Sequence, residues 1–132
     1  MPKKILIVDD EPDIVKVIAS RLKANNYDVE VAFDAREAIQ VAHKVKPDLI
    51  ILDIKMPSGS GISVYENLSI FGDTARVPVI FITAYSNDEV RKKVLDLGAA
   101  DFMEKPFNPD ELTEKVNRIL GKSANRGEKQ DD

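Results

Sequence analysis

Five times along the chain a short apolar run gives way to a longer stretch with helical spacing. The runs are Lys4–Val8, Asp28–Ala32, Leu49–Leu52, Val79–Ile82 and Asp101–Glu104, each of strand length. Leu49–Leu52 is apolar at every position, the pattern of a parallel strand buried on both faces. After the first run, Pro12 suits a first helical turn, and Ile14, Val15, Ile18 and Leu22 form one apolar face that ends at Asn25-Asn26. Asp34 and Glu37 have capping-box spacing, opening a helix with Ala38, Ile39 and Ala42 inward and Pro47 at its close. The loop at 57–61, shaped by Pro57, Gly59 and Gly61, leads to a helix through Val64, Tyr65 and Leu68. Ser86 and Glu89 repeat the capping-box spacing before Val90, Val94 and Leu97, and Gly98 is the stop. Asn108, Pro109 and Glu111 open a last helix bearing Leu112, Val116, Ile119 and Leu120, ended by Gly121.

Alternating strands and helices in one domain predict an α/β fold with right-handed crossovers. The expected architecture is a five-stranded parallel sheet of order 2-1-3-4-5 with five helices on both faces, a flavodoxin-like (βα)5 three-layer sandwich. A closed eight-unit barrel needs about 250 residues and is excluded by the length of 132. The domain is expected to span residues 1–121. Residues 122–132 are polar, without an apolar period, and read as a frayed tail.

Composition narrows the function classes. The chain is 43% hydrophobic and 32% charged, which is a globular balance. It has no cysteine, so disulfides, thiol catalysis and thiolate metal sites are excluded. No apolar run approaches the ~18 residues of a membrane helix, and a cytoplasmic location is the expectation. A net charge of −4 argues against nonspecific nucleic-acid binding.

The chemistry gathers at the strand ends. Asp9 and Asp10 follow the first run, Asp53 the third, Thr83 the fourth and Lys105 the fifth. Parallel sheets bind ligands outside the carboxyl ends of their strands, so these residues are expected at one edge. Three acids within a few ångströms repel one another, and one pKa rises unless a cation enters. Mg²⁺ fits such a set, being a hard ion that takes a few carboxylates along with waters and phosphate. Each residue also has a plain reading: Asp9-Asp10 as a helix cap, Asp53 as a loop carboxylate, Thr83 as a lone hydroxyl, Lys105 as a surface charge. The Lys105–Pro106 bond is expected to be cis. His43, the only histidine, is expected on the surface, away from the pocket.

Taken together, ILIVDDEP at 5–12, DLIILDIKMPSGSG at 48–61, VPVIFITAY at 77–85 and GAADFMEKPF at 98–107 resemble the receiver domain of two-component response regulators. The resemblance covers about residues 3–121. It implies that Asp53 is the phosphoacceptor and that Asp9, Asp10, Asp53 and the backbone carbonyl of Lys55 hold Mg²⁺. It implies switch roles for Thr83 and Tyr85, and a phosphoryl contact for Lys105. The partners it implies are a histidine kinase or histidine phosphotransfer protein, and an effector protein at the helix 4–strand 5–helix 5 face. A monomer or a phosphorylation-dependent homodimer is expected, with no membrane contact and no direct DNA binding by this chain. Eleven residues follow Gly121, so a stand-alone receiver and one cut from a longer regulator both remain open. Lys55, leaving the third strand near the acceptor, is expected to modulate dephosphorylation, and small Ala84 to leave water access.

Two other classes compete. A haloacid-dehalogenase-like phosphohydrolase places a second acid two residues after its nucleophilic Asp; here Ile54 and Lys55 follow Asp53. A flavin mononucleotide carrier needs a Ser/Thr/Gly-rich loop after the first strand, where this chain has DDEPD.

Overall fold

The computed structural model describes residues 2–56, 59–84 and 86–121. The main strands are β1 (Lys4–Val8), β2 (Asp28–Ala32), β3 (Leu49–Asp53), β4 (Val79–Thr83) and β5 (Asp101–Glu104). They form one parallel sheet in the expected order 2-1-3-4-5. The helices are α1 (Pro12–Ala24), α2 (Ala35–Val45), α3 (Gly61–Ser69), α4 (Asp88–Asp96) and α5 (Pro109–Ile119). Among the described residues none of them is long and apolar enough to cross a membrane.

Strand alternation divides the interior into two cores. Leu6, Val8, Ile50, Leu52 and Phe81 pack with Ala38, Ala42, Val64, Leu68 and Val94, so α2, α3 and α4 cover one face. Ile5, Ile7, Ile51, Ile80 and Ile82 pack with Val15, Ile18, Leu22, Leu112 and Val116, so α1 and α5 cover the other. The central strands β3 and β4 are buried at every residue, which explains their continuous apolar runs.

The structure corrects several boundaries. β3 and β4 each run one residue past their apolar stretch, taking in Asp53 and Thr83. Backbone pairing continues because Asp53 sits in register with Ile82, and Thr83 with Glu104. The cap of α4 is Asn87, which accepts from Val90 N–H at 2.8 Å, in place of the expected Ser86. Leu97, expected on the inward face, is the C-cap and 37% exposed. His43 is at the surface, as expected, and partly covered: it stands edge-on to Phe71, with Nδ1 3.3 Å from Asp73 Oδ2.

Between β3 and α3, Lys55–Met56 pairs antiparallel with Gly59–Ser60. This small ladder folds the chain back until Gly61 N–H donates to Ile54 O at 2.7 Å. A Cβ at Gly61 would lie 2.2 Å from the Asp53 carbonyl oxygen, so only glycine fits there. Ser60, which carried no sequence signal, caps α3 by accepting from Ser63 N–H. Pro57, Tyr85 and the 122–132 tail lie outside the described residues.

The reassigned α4 cap has a measurable consequence. Asn87→Ala is expected to cost about 1 kcal/mol in urea unfolding, and Ser86→Ala to stay within roughly 0.5 kcal/mol of wild type.

Candidate functional site

Asp9, at the exit of β1, is fully buried, and Asp53, at the end of β3, nearly so. The two are held alike. Asp9 Oδ1 accepts from Glu11 N–H at 2.9 Å, and Asp53 Oδ1 from Lys55 N–H at 3.3 Å. In each case the backbone two residues on fixes one oxygen, an Asx-type contact that leaves Oδ2 turned elsewhere.

Both Oδ2 atoms meet Lys105. Its Nζ lies 2.8 Å from Asp9 Oδ2 and 3.3 Å from Asp53 Oδ2. A third carboxylate, Glu11 Oε1, lies 2.8 Å away on the solvent side. The Lys105 side chain is only 7% exposed. Its backbone N–H donates to Thr83 O at 2.8 Å, tying the turn after β5 to the end of β4. The Lys105–Pro106 bond is cis, as expected.

These charges shift one another. Burial, and then the Asp9 charge, push the Asp53 carboxyl up to about 6 against the opposing pull of Lys105. Burial alone would lower the Lys105 ammonium; its close contacts with the Asp9 and Glu11 carboxylates outweigh that and hold it above its ordinary value.

A cleft of about 490 Å³ opens above the cluster, lined by Asp10, Glu11, Asp53, Lys55, Ala84 and Lys105 among others. Thr83 is fully buried at the end of β4, and its carbonyl accepts from the Lys105 N–H. Of the expected site residues, Asp9, Asp10, Asp53, Lys55 and Lys105 are therefore brought together. Tyr85 lies outside the described residues. Glu11 is the residue that sequence reasoning missed; its carboxylate has meaning only beside Lys105, 94 residues away.

The donor set suits a hard divalent cation. Asp9, Asp10 and Asp53 each offer a carboxylate oxygen, all within 4.8 Å of one another. Asp9 Oδ2 is buried and has no aligned hydrogen bond; its contact with Lys105 is an ion pair. A buried anionic oxygen in that condition favours an added cation.

Residues 5–117 match the family model described as "Response regulator receiver domain". The chain belongs to this family. This receiver domain is 41% identical to the alkaline phosphatase synthesis transcriptional regulatory protein PhoP of Bacillus subtilis, over 93% of the chain and 50% of that protein. It is 34% identical to the phosphate regulon transcriptional regulatory protein PhoB of Escherichia coli, over 91% of the chain and 52% of that protein. The chain thus spans about half the length of the curated relatives it matches. Among solved structures it resembles the chemotaxis protein CheY4 of Vibrio cholerae, with a TM-score of 0.85 at 31% identity, covering 91% of this chain and all of that one. It also resembles the signal receiver domain of a LuxO-type repressor from Vibrio parahaemolyticus, with a TM-score of 0.86 at 32% identity, covering 92% of each chain. The sandwich is therefore that of CheY-like receivers, and the family is a signalling one.

The raised carboxyl gives this receiver domain a pH signature. Asp53 moves from 3.8 to about 6 on folding, so the folded state binds the proton more tightly. Its contribution to stability is greatest below the lower value, falls as pH rises through that window, and is lost above the upper one. Asp53→Asn is therefore expected to be about 1–3 kcal/mol more stable than wild type at neutral pH. The gap should close in acid. Urea unfolding of both proteins across that pH range, without divalent cations, checks it.

Proposed function

We propose that this receiver domain accepts a phosphoryl group on Asp53 from a phosphohistidine of a histidine kinase or phosphotransfer protein, with Mg²⁺ as cofactor. The observation that carries the proposal is the Asp9–Lys105–Asp53 cluster at the floor of an open cleft. The acyl phosphate then alters the surface that partners read.

The chemistry follows from the side chains. Asp53 supplies the nucleophile: one carboxylate oxygen forms a bond to phosphorus as the phosphorus–nitrogen bond to the donor imidazole breaks. The raised Asp53 pKa still leaves most of this carboxylate ionised at neutral pH. Lys105, already within reach of Oδ2, neutralises charge on the transferred group as a flexible point cation. Asp9, Asp10, Asp53 and the Lys55 carbonyl would hold Mg²⁺, which supplies a second positive charge against the phosphoryl oxygens. Ala84 leaves the cleft open, so water can later hydrolyse the acyl phosphate. Lys55, exposed on the same wall, tunes that rate. Thr83, at the end of β4, supplies a hydroxyl that can turn toward a phosphoryl oxygen, with Tyr85 following the space it leaves.

The output is a protein contact, at the α4–β5–α5 face, by a monomer or a phosphorylation-dependent dimer in the cytoplasm. Two relatives are named transcriptional regulators. With its net charge of −4, this domain carries the signal and does not itself touch DNA.

Incubation with Mg²⁺ and acetyl phosphate should add the mass of one phosphoryl group to wild type. It should add none to Asp53→Asn, and none to wild type when the cation is chelated. Intact mass spectrometry reads the result, and a modified Asp53→Asn protein would overturn the assignment.

A further inference from the structure

Lys105 is ringed by three carboxylates before any anion arrives. An ammonium has three N–H groups, and Asp9, Glu11 and Asp53 stand at 2.8, 2.8 and 3.3 Å from its nitrogen. A phosphoryl oxygen on Asp53 therefore meets an ammonium that already donates to Glu11 and Asp53 and is ion-paired with Asp9.

The three partners are not equivalent. Asp9 is wholly buried, with its other oxygen tied to a backbone N–H. Displacing it would strand a charge in the interior unless a cation took it over. Asp53 is the residue that carries the incoming group. Glu11 is 56% exposed at its side chain and can swing into water at little cost. It is also the N-cap residue of α1, yet its side chain makes no capping hydrogen bond. Its carboxylate is committed to Lys105 instead.

We propose that Glu11 is an electrostatic competitor for Lys105, and that it limits how tightly the cleft holds a phosphoryl group on Asp53. The inference rests on the aspartyl-phosphate reading above. While Asp53 is free, Glu11 shares the ammonium and restrains it at the cleft mouth. Once a dianionic group is attached, Glu11 and that group are two anions claiming one cation a few ångströms apart. Glu11 then gives way to solvent, and the energy of its lost ion pair is subtracted from the hold on the phosphoryl group. No bond is made or broken in this exchange. It makes Glu11 a positioning residue that acts through Lys105.

The test uses beryllofluoride with Mg²⁺ as an unreactive stand-in for the phosphoryl group. Wild type, Glu11→Gln and Glu11→Ala are titrated by ¹⁹F NMR, while the Lys105 Nζ resonance is followed by ¹⁵N NMR. Both variants should bind the mimic roughly three- to tenfold more tightly than wild type, with the gap shrinking as salt is added. Their Lys105 resonance should already be displaced before the mimic is added, a change that a purely structural role for Glu11 would not produce. Affinity equal to or weaker than wild type in either variant overturns the competitor role and leaves the aspartyl-phosphate reading intact. If wild type neither binds the mimic nor gains a phosphoryl group from acetyl phosphate, the underlying reading fails instead.

Discussion

One ammonium holds two buried carboxylates together. Asp9 and Asp53 lie at neighbouring strand ends with almost no access to water, and Lys105 is the cation between them. Removing the ammonium would leave both carboxylates uncompensated in the interior, a cost of several kcal/mol. The arrangement is therefore held under electrostatic tension: Asp53 is pushed upward by burial and by Asp9 even with Lys105 in place. A cation entering the cleft, or a group attached to Asp53, changes the balance, because the two acids are buried and weakly screened.

Sheet order makes the cluster possible. β1 and β3 are neighbours, so Asp9 and Asp53 meet directly. Lys105 arrives after β5, two strands from β3, or about 10 Å across the sheet. Only a long, flexible side chain spans that distance, and it must cross the end of β4. There the chain ends its strand with Thr83 and then places Ala84, which lines the cleft without filling it. Gly61 brings the following loop against the Asp53 carbonyl so closely that no side chain fits between. Lys55 is thereby held at the cleft wall.

The central strands were legible in the sequence because they are buried on both faces, so their runs of aliphatics stop only where the strand meets the site. β1, β2 and β5 begin and end at the residues where the hydrophobic pattern changes. β3 and β4 overran that change by one residue, since main-chain pairing is indifferent to the polarity of Asp53 and Thr83. The α4 cap was misread because Ser86 and Asn87 are equally good caps and the Glu at 89 favoured the former on spacing alone. Asp9, Asp10, Asp53 and Lys105 could be read from position at strand ends. Glu11 could not: it is exposed, it sits where a cap residue is expected, and its partner is remote in sequence.

That oversight bears on how a signal would leave the site. Asp9 and Asp53 each have one oxygen pinned by a backbone N–H two residues on, and neither can turn without breaking that bond. The parts able to move are the four-carbon stem of Lys105 and the solvent-facing carboxylate of Glu11. On the proposed reading, a change of charge at Asp53 would be expressed first as a change in which anions share the ammonium. Lys105 is followed at once by Pro106 and tied through its own N–H to Thr83, and Glu11 opens α1. Lys105 thus links the end of β4, the start of α1 and the turn before α5. The rigid acids define the site, and the contest over Lys105 is the element of it with two arrangements to choose between.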